Sequence, residues 1–456
     1  MTRAVPLLLL SIGCATVSPE KGHEEIARIL VERTGTQTGW EKGAPEHAAI
    51  AERVDALSSN KLTRSNAVAI ALINNPQLQA TYDELGVSQA DMVQAGLLSN
   101  PTLSGSIGFP LKAASGLEPE FSLVQQIVDL FILPWRKDAA RDQFKADTLR
   151  VAHEALEVVA HVNTAFVTLQ SDLESQQLLR QSLEGSEAVH LLAEKQFAAG
   201  NISALSIATQ RAGFAQLQLE LTHSELKVGA SREHLNRLLG LWGKRANWEL
   251  AELLPDLPLE DVLPERPESH AVRMRLDIQA ARIRAEILAQ ILGLARSTRL
   301  IGQVEVGIHF HQDPDGPRLM GPTLSLELPI FDQRQAYLAK LEAELASASR
   351  RVTALAVDAR SKVREQILSL QATRVMAQHF SQTIVPLREQ VVEQAQLHYN
   401  GMLIGLPSLM SARLEGFEAR RGAIAARRDY WIARFELESA LGSSIPLAAP
   451  EKKHEH

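Results

Sequence analysis

The chain has 456 residues, enough for two or three ordinary domains, and its net charge of −7 excludes a generally basic nucleic-acid binder. Aromatic residues make up only 5%, whereas Ala, Leu, Glu, Gln and Arg are abundant, the composition of long helices packed side by side. There is no run of about 18 apolar residues, so no transmembrane helix is predicted and a membrane role would have to use strands.

The chain opens with Arg3 and the apolar run AVPLLLLSIG, followed by Cys14. Cys14 is the only cysteine, so there is neither a disulfide framework nor a cysteine zinc site. The pattern resembles a short bacterial lipoprotein signal with Cys14 as the acylated residue, although Leu10 stands one residue further from the cysteine than such signals have it. A signal cut elsewhere, or a buried free cysteine, are the alternatives. Residues 1–13 are read as a signal peptide and left out of the fold. Residues 14–61 are polar with few apolar anchors and read as a surface arm.

Residues 62–240 form the first ordered block. Leu62–Leu98 carries Ala, Leu and Val at helical spacing, with a Thr63/Ser65 cap region and a break at Pro76 after Asn74-Asn75. Residues 102–127 alternate as a hairpin. Leu103, Gly105, Ile107 and Phe109 interleave with Thr102, Ser104, Ser106 and Gly108, then Pro119, Phe121 and Leu123 with Glu118, Glu120 and Ser122. Pro134–Phe197 reads as one helix on the order of 95 Å long. Ala199-Gly200-Asn201 stops it, Ser203 caps a return helix to Leu239, and Gly240 ends that.

Residues 241–269, rich in Trp, Pro, Leu and acidic side chains, read as a linker. The pattern then restarts over residues 270–442. His270–Arg299 is helical, and residues 301–330 give the clearest hairpin in the chain. There Val304, Val306, Ile308 and Phe310 alternate with polar residues, as do Pro322, Leu324, Leu326, Leu328 and Ile330. Asp332–Tyr399 is a second very long helix, Asn400-Gly401 a second stop, and Pro407 suits the first turn of a last helix ending at Gly442. Met410, Phe417, Ile424 and Trp431 fall at heptad spacing on it. Residues 443–456 read as a disordered tail.

The two blocks repeat. Phe109 corresponds to Phe310, Gly200 to Gly401 and Gly240 to Gly442, at offsets of 201, 201 and 202 residues. FAAGNISALSIATQR (Phe197–Arg211) matches YNGMLIGLPSLMSAR (Tyr399–Arg413) with a slip of one residue. Each copy is helix, hairpin, very long helix, turn, helix. Four strands cannot close a barrel, since bacterial outer-membrane barrels start at about eight. The economical solution is an oligomer, with a strand barrel at one end and a helical tube at the other.

At this point the chain resembles the TolC-like outer-membrane efflux proteins over about Leu62–Gly442. The resemblance rests on LTRSNAVAIALINNPQLQA (Leu62–Ala80), LSNP (Leu98–Pro101), AAGNISALSIATQR (Ala198–Arg211), LNRLLGL (Leu235–Leu241), LPIFD (Leu328–Asp332) and YNG (Tyr399–Gly401) in that order and spacing. LPERPESHAVRMRLDIQAAR (Leu263–Arg282) departs from the family's start of the second repeat: Arg266-Pro267 lacks the aspartate, and Arg275-Leu276-Asp277 has leucine for proline. That leaves the start of the second repeat open.

The resemblance implies a mixed α/β-barrel membrane protein, a homotrimer in which four strands per subunit build a 12-stranded outer-membrane β-barrel and the coiled-coil helices a periplasmic α-barrel. It further implies a periplasmic adaptor protein and an inner-membrane pump of the RND type as partners, outer-membrane lipid around the barrel, and no nucleic acid or cofactor. Inward strand faces would carry Glu118, Glu120, Gln303, Glu305, His309, His311, Thr323, Ser325 and Glu327. This set leans acidic and would favour cations, unless these are hydrated residues without selectivity. The adaptor-docking tips would be Gly200, Asn201, Ile202 and Asn400, Gly401, Met402, against the alternative of ordinary helical turns. His309 and His311 with Asp313 and Asp315 raise metal binding, but a polar loop and lumen wall is the reading preferred. No GxSxG, P-loop, HExxH or CxxC motif occurs, so no enzyme site is expected.

The function expected is thus the passive outer-membrane exit duct of a tripartite efflux system for small molecules, heavy-metal cations included. A type I secretion duct for proteins, or a soluble structural coiled-coil protein, are the competing readings.

Overall fold

The computed structural model describes residues 20–40, 43–59, 61–109, 117–313 and 316–446. Cys14, Asp315 and His454–His456 therefore lie outside the described residues. The helices and strands follow in the order α1 (Glu20–Thr34), α2 (Ala44–Ser59), α3 (Arg64–Asn74), α4 (Pro76–Ala95), β1 (Thr102–Gly108), β2 (Glu118–Gln126), α5 (Val128–Ala198), α6 (Ala204–Leu239), α7 (Pro267–Met274), α8 (Leu276–Ser297), β3 (Val304–Gln312), β4 (Arg318–Leu326), α9 (Gln335–His379), α10 (Val385–Asn400) and α11 (Leu406–Leu441).

Both side-chain caps expected in the first copy form. Thr63 caps α3 by accepting from the Asn66 amide at 3.1 Å, and Ser203 caps α6 by accepting from Ser206 at the same distance. The first helix breaks at Asn75, with φ −68° and ψ 117°, before Pro76. In the second copy α7 and α8 replace the single helix expected, and the break falls at Arg275, with φ −65° and ψ 125°. Leu276 stands where proline would force that turn. Instead the Asp277 carboxylate accepts from the Ile278 amide at 2.9 Å and takes a two-armed ion pair from Arg275 at 2.7 and 3.1 Å.

The second long helix also differs from expectation. Between α9 and α10 one π-type turn, Phe380–Ile384, precedes Pro386, whose missing N–H and ring crowd a regular helix. The arm read as a surface strip contains two helices, and Ile26, Leu30 and Val54 are fully buried.

Two compact units emerge. The described residues among 20–25, 83–150 and 279–353 form one, and those among 26–82, 151–278 and 354–446 the other. The first holds one four-stranded antiparallel sheet, ordered β1-β2-β3-β4. The second holds an apolar core, where Tyr430, Trp431, Phe435 and Leu441 of α11 pack with Val167, Leu254, Ala271 and Leu370. Among the heptad residues, Ile424 and Trp431 are buried there, and Phe417 is buried in a separate cluster with Leu179 and Leu217.

Candidate functional site

Strand register fixes the two faces of the sheet. Leu103 pairs with Leu123, Phe121 with Phe310, Ile308 with Pro322 and Val306 with Leu324, all on one face. Ser106 pairs with Glu120, Glu120 with His311, Ser122 with His309 and Glu305 with Ser325, on the other. Glu118 opens β2 on that polar face opposite Gly108, and Glu327, just past β4, accepts from the Gln303 amide at 3.0 Å. The structure thus brings the predicted polar residues to one side, as alternation requires.

Exposure runs opposite to that of a sheet in a water-soluble core. Leu103, Met320 and Leu324 are 72%, 73% and 72% exposed, whereas the side chains of His309 and His311 are 32% and 30% exposed. Each large apolar side chain left open forgoes about 2 kcal/mol of burial. The strands β1 and β4 end the order, so each leaves one edge unpaired among the described residues.

A polar network links the other face. Glu120 accepts from Ser106 at 3.3 Å and lies 3.6 Å from His309 Nδ1, and His311 Nε2 is 2.7 Å from Asp313. The two imidazoles stack at 6.3 Å, and Gln126 donates to Glu305 at 3.3 Å. Among the described residues no group of three or more His, Cys, Asp or Glu side chains is placed to hold a metal ion. No described helix is long and apolar enough to cross a membrane.

The hairpin tips share one backbone design. Gly200 takes φ +73°, and Asn201 donates back to the Gln196 carbonyl at 2.8 Å. In the second tip Leu403 donates to His398 at 2.8 Å, and the left-handed residue is Met402, φ +59°, not Gly401. The one-residue slip in the sequence match therefore sets Met402, not Gly401, opposite Gly200. Met402 is 93% exposed, Asn201, Asn400 and Gly401 are exposed, and Ile202 is half-buried.

Sequence reasoning missed a buried charge network in the second unit. Arg434, 2% exposed, and Tyr430 both donate to Asp261 Oδ1, the latter at 2.7 Å. Arg374 donates to the other Asp261 oxygen at 2.6 Å and to the carbonyls of Pro258 and Leu259 at 2.5 Å. Burial, then the Asp261 carboxylate, push the Tyr430 hydroxyl above the usual tyrosine range. The network ties the linker to α9 and α11. A single arginine on a long helix gives no sign of burial without its distant partner, Asp261.

Residues 67–241 match the family model described as outer membrane efflux protein. Over that stretch the chain is similar to outer membrane efflux proteins. No curated protein matches it. Among solved structures it is similar to a membrane protein from Pseudomonas aeruginosa, at 22% identity and TM-score 0.73 over 83% of this chain and 92% of that one. It is similar to the CmeC outer membrane channel of Campylobacter jejuni at 16% identity and TM-score 0.73, covering 91% of both chains. To CusC, described as forming a transmembrane channel, the figures are 18% and 0.72, over 84% and 92%. The expected fold, long helices with four antiparallel strands, is borne out, as are the resemblance to TolC-like proteins and the outer-membrane efflux function.

Proposed function

We propose that this chain is an outer-membrane efflux protein, the passive exit duct of a tripartite pump, closed into a channel by two further copies of itself. The observation that carries this reading is the sheet: an open apolar face, a polar face knit by hydrogen bonds, and two unpaired edges. Joining β4 of one copy to β1 of the next satisfies both edges, meets lipid with the apolar face, and surrounds an aqueous path with the polar one. Three copies give the 12-stranded barrel implied by the family. The chain then supplies no bond chemistry; it supplies a lined path.

The tips Gly200–Ile202 and Asn400–Met402 are the surfaces offered to a periplasmic adaptor, with an inner-membrane pump of the RND type behind it. Their exposed apolar side chains, Leu205, Met402 and Leu403, support docking rather than a solvated turn. Glu118, Glu120, Glu305 and Glu327 make the path acidic, which supports small cations, heavy metals included, as cargo. Acylated Cys14 would add a lipid anchor.

Three measurements test this. In fractionated cells the protein should appear in the outer membrane as a trimer. A deletion strain should lose resistance to metals or small toxic compounds; loss of a secreted protein instead would indicate a type I secretion duct. Gly200→Trp together with Met402→Trp should abolish export while trimers still form, and unimpaired export would sink the docking assignment.

A further inference from the structure

We infer that His309 and His311, with Glu120 beside them on the polar face, form a proton-sensitive filter that sets how strongly the duct prefers cations. This rests on the reading that the polar face lines the path. Histidine is the side chain whose charge ordinarily changes between about pH 5 and 8. Here two imidazoles, stacked at 6.3 Å, share one strand face. Glu120 lies 3.6 Å from His309 and is the register partner of His311, while Asp313 lies 2.7 Å from His311.

The charged groups around the pair are unevenly distributed. From β2 come Glu118 and Glu120, from the turn after β3 Asp313, and along β3 itself Glu305. The β4 residues opposite, Leu319, Gly321, Thr323 and Ser325, carry no charge, and β1 adds uncharged hydroxyls, that of Ser106 donating to Glu120 at 3.3 Å. No described lysine or arginine faces the pair from these strands; Arg318 pairs with Gln312 on the opposite face. Without protons on the rings, this part of the wall is a carboxylate cluster that draws cations in and repels anions. With both rings protonated, two positive charges stand among those carboxylates, and three-fold repetition multiplies the change around the wall. The filter is therefore strong at alkaline pH and weak at acid pH.

The test is the reversal potential of the purified full-length protein in planar bilayers under a KCl gradient near 0.1 M, where screening acts over about 10 Å. The ratio of potassium to chloride permeability should fall roughly threefold between pH 8 and pH 5 in the natural protein. His309→Gln with His311→Gln should conduct and hold the alkaline ratio at both pH values. Glu120→Gln should lower the ratio at pH 8. A conducting double variant that keeps the natural pH dependence, or a conducting natural protein whose ratio does not move with pH, would overturn this inference and leave the duct intact. Absence of any conductance would overturn both the duct and the filter.

Discussion

The two repeats fold alike but close differently. Both return helices end in a left-handed glycine, Gly240 at φ +66° and Gly442 at φ +68°, with the following amide bonded back five residues. At the first closure the carbonyls of the return helix are met by neutral amides. Asn74 donates to the carbonyls of Leu239 and Gly240 at 2.8 and 2.9 Å, Asn75 to Leu238 at 2.8 Å, and buried Asn236 accepts from the Trp248 indole at 2.9 Å. At the second, charge takes over. Arg33, from the N-terminal arm, donates to Gly442 and Met274 at 2.8 and 2.9 Å, and Glu438, at the position of Asn236, accepts from the Ile445 amide at 3.1 Å. Arg232 and Arg434 also correspond. The first donates to the Trp248 carbonyl at 2.6 Å, the second to that of Ile445 at 2.6 Å and to Asp261. One backbone plan is thus satisfied by two chemistries, and the arm is part of the second.

The largest expected effect separates the two chemistries. Asp261→Ala leaves Arg374 and Arg434 without their carboxylate, so it should cost about 3–5 kcal/mol, whereas Asn236→Ala in the neutral closure should cost about 1–2 kcal/mol. Thermal unfolding of the purified protein in detergent measures both, and equal losses would erase the contrast. Next come the glycines. A Cβ on Gly240 would lie 2.2 Å from the Asn74 carbonyl oxygen, while one on Gly442 meets nothing closer than 3.3 Å. Gly240→Ala should therefore cost about 3 kcal/mol and Gly442→Ala about 1 kcal/mol, the left-handed backbone alone. The smallest effect is electrostatic. Burial raises the Glu438 carboxyl above its usual range, with the Ile445 amide and Arg434 only partly opposing it. The stability it contributes is full at acid pH and is lost as pH rises through its folded value. Glu438→Gln should thus gain up to about 1 kcal/mol at neutral pH and flatten that part of the stability profile.

Much of this was legible in the sequence because the signals were periodic or local. Alternation over residues 301–330 gave both sheet faces, and Thr63, Ser203, Gly200, Gly240 and Gly442 marked helix ends through their own backbone preferences. What stayed hidden depends on distant partners. The break at Arg275 lacks the proline that marked Asn75 and relies on Asp277. Met402 adopts a left-handed conformation that glycine beside it seemed to claim, because the hydrogen bonds from Leu403 and Met402 fix the turn one residue later. Ile26 and Leu30 looked too sparse to anchor the arm, yet both are fully buried. Asp261 and Arg434 stand 173 residues apart, beyond any local pattern.

The central claim is that the sheet closes only with other copies of the chain. Single cysteines at Ser104 or Ser106 of β1 and at Thr323 or Ser325 of β4, combined pairwise in a chain with Cys14 replaced, test it directly. Oxidation in intact outer membranes should yield covalent dimers and trimers from at least one pair, while each single cysteine gives none. Monomers alone across every pair, in protein that reaches the outer membrane, would contradict the account.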